Sequence, residues 1–111
     1  MKVPPQIALL AIIARYGKPT LSELASAVSY LSKRYGIDFG YKFTDNNKAI
    51  GVPKELLADI NTLRLLNLVE VVGDRVAVSE KGLEVLSRAA KADNTIREIL
   101  GRDLTQNLHQ R

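Results

Sequence analysis

The stretch VEVVGDRVAVSEKG, Val69 to Gly82, limits what this chain can fold into more than any other. Two short valine-rich runs flank Gly73-Asp74, a pair suited to a two-residue turn. That turn sets a register: Val72 opposite Arg75, Val71 opposite Val76, Glu70 opposite Ala77, Val69 opposite Val78. With a period of two, the valines at 69, 71, 76 and 78 share one face, while Glu70, Val72, Arg75 and Ala77 share the other. A two-stranded hairpin alone is marginal in water, so the valine face has to dock on helices, and the tip with Asp74 and Arg75 is expected to project from them.

Helices are legible on both sides of the hairpin. PTLSELASAVSYLSKRYG opens with Thr20 and Glu23 placed as a capping box and Pro19 and Leu24 as a staple. It repeats Leu21, Leu24, Val28, Leu31 and Tyr35 at helical spacing and stops at Gly36. A third helix begins at Pro53 and runs through PKELLADINTLRLLN, burying Leu56, Ile60 and Leu63 with Leu57 and Leu66 flanking them. Ser79 is placed to cap EKGLEVLSRAAKA, which buries Leu83 and Leu86. Between the second and third helices, IDFGYKFT alternates Ile37, Phe39, Tyr41 and Phe43 against Asp38, Gly40, Lys42 and Thr44, a strand pattern. DNNKAIGV then reads as a polar loop.

The two ends of the chain are unusually apolar. MKVPPQIALLAIIARYG resembles a leader peptide in outline, yet its apolar run is short and Arg15 closes it without a cleavage site, so it reads as a buried first helix. Ile7, Leu9, Leu10, Ile12 and Ile13 cover that helix nearly all round. DNTIREILGRDLTQNLHQR carries Asp93 or Asn94 as a cap and Ile96, Leu100, Leu104 and Leu108 at intervals of four, a separate amphipathic helix weakened at Gly101. Two such surfaces require extra burial, either in a homodimer or by covering each other within one chain. The homodimer is the expectation, with a domain at residues 1–92 and a terminal helix at 93–111 as its candidate dimerisation element.

A chain of 111 residues that is 46% hydrophobic suits one domain with one core. The excess of 16 Lys and Arg over 12 Asp and Glu, a net +4, fits a polyanionic partner. Cysteine is absent, which excludes disulfides, a thiol nucleophile and a cysteine-based zinc site, and suits a reducing, cytoplasmic setting. The absence of Trp and the single Met also suit a heat-adapted organism. His109 is the one histidine, no Gly-rich phosphate loop or close acidic cluster appears, and the serines have no base beside them. The expectation is a protein that is not an enzyme and takes no cofactor or metal; nothing is long enough to span a bilayer.

The segment YKFTDNNKAIGVPKELLADINTLRLLNLVEVVGDRVAVSEKGLEVL, Tyr41 to Leu86, resembles the winged helix-turn-helix proteins of archaea and bacteria. Their pattern is an aromatic-rich strand, a Gly-Pro-type turn, a helix of the form L..DL..L...GLI, a hairpin and LT.KG. Asn67-Leu68 stands where the family has Gly-Leu, and the aromatic strand falls after the second helix, whereas the commonest arrangement has its extra strand after the first. The resemblance implies a mainly α fold with a small β hairpin and an added C-terminal helix. It also implies that the third helix enters the major groove of double-stranded DNA while the hairpin lies along the backbone. The implied function is sequence-specific DNA binding by a dimeric transcription regulator. Winged helices also serve as protein-interaction modules without direct DNA readout, and the apolar termini fit that alternative.

Setting Leu56, Ile60 and Leu63 inward at about 100° per residue turns Lys54, Ala58, Asn61, Thr62 and Leu65 outward. Asn61 suits adenine, Thr62 a base or phosphate, and Ala58 a close approach beside a thymine methyl. Arg75 is the candidate for phosphate or the minor groove, with Lys81, Lys42 and Lys48 as supports. Against this, Glu55 and Asp59 lie on the same helix and would repel phosphates if turned toward them, and Arg75 equally suits a pair with Asp74 or Glu70. Lys33 and Arg34 suit the dipole at the end of the second helix. Tyr41 and Phe43 suit core packing better than a stacking platform for single strands. No small-molecule effector is legible.

Overall fold

The computed structural model describes residues 4–41, 45, 46 and 49–101. In chain order these form α1 (Pro5–Tyr16), α2 (Leu21–Tyr35), β1 (Asp45–Asn46), β2 (Ala49–Ile50), α3 (Lys54–Leu65), β3 (Val69–Val72), β4 (Arg75–Val78), α4 (Glu80–Ala92) and α5 (Asn94–Leu100). The architecture is mainly helical with small antiparallel hairpins, β1 with β2 and β3 with β4.

Helix α1 sits at the centre, against α2, α4, α5 and β4. Every residue from Ala8 to Ala14 is buried, because neighbours stand on all sides of it. The apolar surface that argued for a homodimer is therefore covered inside one chain: Ile96, Ile99 and Leu100 of α5 join the same core, and Arg15 donates from Nη1 to the Ile99 carbonyl at 3.3 Å. Within the chain, Ala8 to Ala14 and Ile96, Ile99 and Leu100 thus cover one another. Helix α5 is also shorter than the periodicity suggested. It ends at Gly101, whose φ of +81° leaves the helical region, and Leu104 and Leu108 lie outside the described residues.

The helix starts follow their caps. Thr20 Oγ1 accepts from the Glu23 amide at 3.1 Å and Glu23 Oε1 accepts from the Thr20 amide at 2.8 Å, the reciprocal pair expected. The Thr20 backbone amide, then the Thr20 side chain and Arg75, hold the Glu23 carboxyl below its ordinary pKa. Gly36 closes α2 in the left-handed region, Ser79 Oγ accepts from the Gly82 amide at 3.1 Å, and Asp93 Oδ1 accepts from Thr95 N at 2.8 Å.

The β3–β4 register is the one read from the sequence, from Val69↔Val78 to Val72↔Arg75, with Gly73 at φ +63°. A positive φ at the first central position matches a type II′ turn. Docking is asymmetric: Val69 and Val76 are buried and Val78 half-buried, but Val71 is exposed and Val72 is 78% exposed. Nor does the hairpin tip project. Leu21 N donates to Asp74 O at 2.9 Å and Val76 N to Pro19 O at 3.0 Å, forming an antiparallel bridge between Thr20 and Arg75. The link between α1 and α2 thus supplies a third strip beside β4, which satisfies backbone groups that an exposed sheet edge would leave open.

Residues 37–41 are not a strand. Burial alternates as expected, with Ile37, Phe39 and Tyr41 half-buried against the core and Asp38 and Gly40 exposed, yet no ladder partner runs beside them. Gly40 at φ +74° and the bond from its amide to Asp38 Oδ1 at 2.9 Å make a turn that brings the Phe39 and Tyr41 rings together, 5.4 Å between centroids. Strand pairing occurs instead in the segment read as a polar loop, where Asp45 pairs with Ile50 and Asn46 with Ala49.

At the junction after α3, Asn67 has φ +63°, a left-handed position that asparagine tolerates better than most side chains. Gly82 is needed for a different reason. A Cβ there would run into the Leu68 carbonyl and the Val78 side chain, so the absence of a side chain lets α4 press against the end of α3. Among the described residues, no helix is long and apolar enough to cross a membrane.

Candidate nucleic-acid interface

Helix α3 presents the face its periodicity implied. Leu56, Ile60 and Leu63 are buried, while Lys54, Ala58, Asn61, Thr62 and Leu65 are exposed. Leu57, read as a flank of the buried stripe, is 43% exposed, and Leu65 is 68% exposed. Thr62 Oγ1 donates to the Ala58 carbonyl at 3.1 Å, turning its hydroxyl proton back on its own helix. Asn61 Oδ1 accepts from Arg64 Nη2 at 2.8 Å. Arg64 was missed in the sequence, although its spacing of three from Asn61 is the signal that puts both on one side of a helix.

The carboxylates of α3 are turned aside. Asp59 Oδ2 accepts from the Tyr41 hydroxyl at 2.6 Å, which ties α3 to the turn at residues 38–41. Burial, then the Asp59 hydrogen bond and the charges of Asp59 and Glu55, push the ionisation of Tyr41 above its ordinary value, so the phenol stays protonated and donates. Asp59 and Glu55 are both half-buried on this flank, and the outward stripe of Lys54, Ala58, Asn61 and Leu65 carries no carboxylate. The link could be anticipated only in part, because it joins residues 18 apart through a turn that the strand pattern concealed.

Among the described residues, the two basic side chains assigned to the hairpin and its surroundings, Arg75 and Lys81, are each engaged by backbone carbonyls. Arg75 is exposed, but its Nη1 donates to the Lys18 carbonyl at 2.8 Å and lies 4.0 Å from Glu23 Oε1. It thus pairs with neither Asp74 nor Glu70, and fastens the hairpin to the start of α2. Lys81 Nζ donates to the Leu66 carbonyl at 3.3 Å, completing the C-terminal end of α3 beside the Ser79 Oγ bond to the Asn67 carbonyl at 2.6 Å. Both cations keep further N–H groups for a ligand. Lys42 and Lys48 lie outside the described residues.

A second exposed group lies on α2. The Arg34 guanidinium sits 5.7 Å from the centre of the Tyr35 ring, Lys33 is exposed beside it, and Tyr30 one turn earlier is 61% exposed. The Tyr35 and Tyr30 hydroxyls raise the pKa of Arg34. Lys33 and Arg34 occupy the last turn, as the dipole argument required.

Among the described residues, no three His, Cys, Asp or Glu side chains come together to hold a metal ion. Comparison of the chain with protein-family models, curated proteins and solved structures finds no match.

Proposed function

We propose that the protein binds double-stranded DNA in the manner of a winged helix-turn-helix and acts as a transcription regulator, with α3 in the major groove. The observation that carries this reading is the outward stripe of α3, where Lys54, Ala58 and Asn61 are exposed while Tyr41 holds the Asp59 carboxylate on the flank. Negative charge on the stripe would repel phosphates; its removal to one side leaves a face that fits a groove lined by acceptors and methyl groups. The element order supports the same reading, with three helices, a hairpin and a fourth helix once the short β1–β2 pair between α2 and α3 is set aside, and with residues 19–21 beside β4 after the first helix, where the commonest winged helix has its extra strand. Lys54 and Arg75 are the candidates for phosphate contact, Asn61 and Arg64 for base edges.

For the rival, a protein-interaction module, Ile96, Ile99 and Leu100 of α5 offer no surface, since they are buried in the chain. The rival keeps one observation, the exposed Leu57 and Leu65 on α3. Fluorescence anisotropy of a labelled random duplex at several salt concentrations separates the two. Salt-sensitive binding, with log K falling by about 0.9 per phosphate neutralised for each unit of log salt and a shallower slope for Lys54→Ala, supports the DNA reading. No binding at about 50 mM salt contradicts it.

A further inference from the structure

Leu57 and Leu65 are what a purely polar DNA-reading surface does not explain. A single exposed leucine is ordinary. Here Leu65 lies on the outward stripe of one helix and Leu57 at its edge, with Ala58 exposed beside them, Lys54 in the first turn and Arg64 near the last, and with no acidic side chain on that stripe. A second copy of the chain is a poor occupant, because antiparallel packing of this face on itself would bring like charges together without a carboxylate to separate them. The occupant that fits is itself anionic and carries apolar groups recessed between its charges. The major groove offers that combination at thymine, whose C5-methyl sits beside its O4 acceptor.

Resting on the DNA reading, we infer that Leu57, Ala58 and Leu65 read thymine C5-methyl groups, so that the preferred site carries thymines at the positions these side chains face. The hydrogen-bonding groups agree with this assignment. One lone pair of Asn61 Oδ1 is engaged by Arg64, so the pair presents chiefly N–H donors outward, which suit groove acceptors, the O4 of thymine among them. A bidentate grip on adenine by Asn61 is correspondingly less favoured. Leu57 and Leu65 are eight residues apart, about 12 Å along the helix axis, a span of roughly three to four base-pair steps. The methyl contacts should fall within one face of the groove.

The test begins with selection of a preferred duplex from a random library. Each thymidine in it is then replaced by deoxyuridine, which removes only the methyl group. Loss of about fourfold in affinity at one or more positions is expected, the amount that desolvating one methyl-sized group supplies. Leu57→Ala and Leu65→Ala should each bind more weakly and no longer distinguish thymine from uracil at one position. Indifference of the wild type to deoxyuridine, a selection that returns no preferred sequence, or unchanged discrimination in both variants overturns the thymine assignment while leaving DNA binding in place. Absence of binding to any duplex at low salt overturns both.

Discussion

Helices α1 and α3 are each 12 residues long, yet one is buried on every side from Ala8 to Ala14 and the other along a single stripe. Helix α1 has α2, α4, α5 and β4 around it, and its continuous apolar run from Ala8 to Ala14 is what such a position requires. Helix α3 buries Leu56, Ile60 and Leu63 and leaves the opposite side to solvent. Its end is fixed by α4 through Gly82, Ser79 and Lys81, and its flank by Tyr41. The contrast separates two tasks. Helix α1 makes the centre of the core, and α3 is held by β3, the start of α4 and Tyr41 so that its outer face stays open.

The comparison breaks if the two helices respond alike to truncation. Leu9→Ala should lower stability by about 2–5 kcal/mol, because a fully buried side chain leaves a cavity, whereas Leu65→Ala should change it by less than about 0.5 kcal/mol. Urea unfolding of the two variants measures both, and comparable losses would refute the division. A smaller effect is expected at the junction that fixes α3. Gly82→Ala should cost about 1–3 kcal/mol through its collision with the Leu68 carbonyl, despite the better helix propensity of alanine, and chemical denaturation with an unchanged m-value would show it.

The smallest effect concerns the flank. Tyr41→Phe should cost about 1 kcal/mol by removing the hydrogen bond to Asp59, and should weaken DNA binding by releasing that carboxylate. Its pH dependence is specific. The ionisation of Tyr41 is raised in the folded state, so its contribution is complete below the ordinary tyrosine value of about 10 and is lost as pH rises beyond it. The stability gap between wild type and Tyr41→Phe should narrow above about pH 10, and a constant gap in alkaline urea titrations would remove the bond from the account.

How much was legible followed the range of the interactions. The β3–β4 register needed only a two-residue turn and a period of two, and the capping box of α2 needed only Thr20 and Glu23. The exposed face of α3 could be read because three buried residues set its phase. Helix α1 has no polar side to set a phase, so its packing against α5 could not be chosen from periodicity. At residues 37–41 the alternation reported burial correctly but could not reveal that no strand runs alongside, since pairing depends on a neighbour and Gly40 bends the chain. Arg75 was singled out as a ligand contact, while its bonds to Lys18 and Glu23 depend on the hairpin lying against residues 19–21.

The most direct measurement is a titration of the isotopically labelled protein with a short duplex at low salt, following backbone amide resonances. Shifts and broadening are expected at Lys54, Ala58, Asn61 and Leu65, with Leu9 to Ile13 of α1 unmoved. Unchanged α3 resonances at saturating duplex, or changes confined to another face, would contradict it.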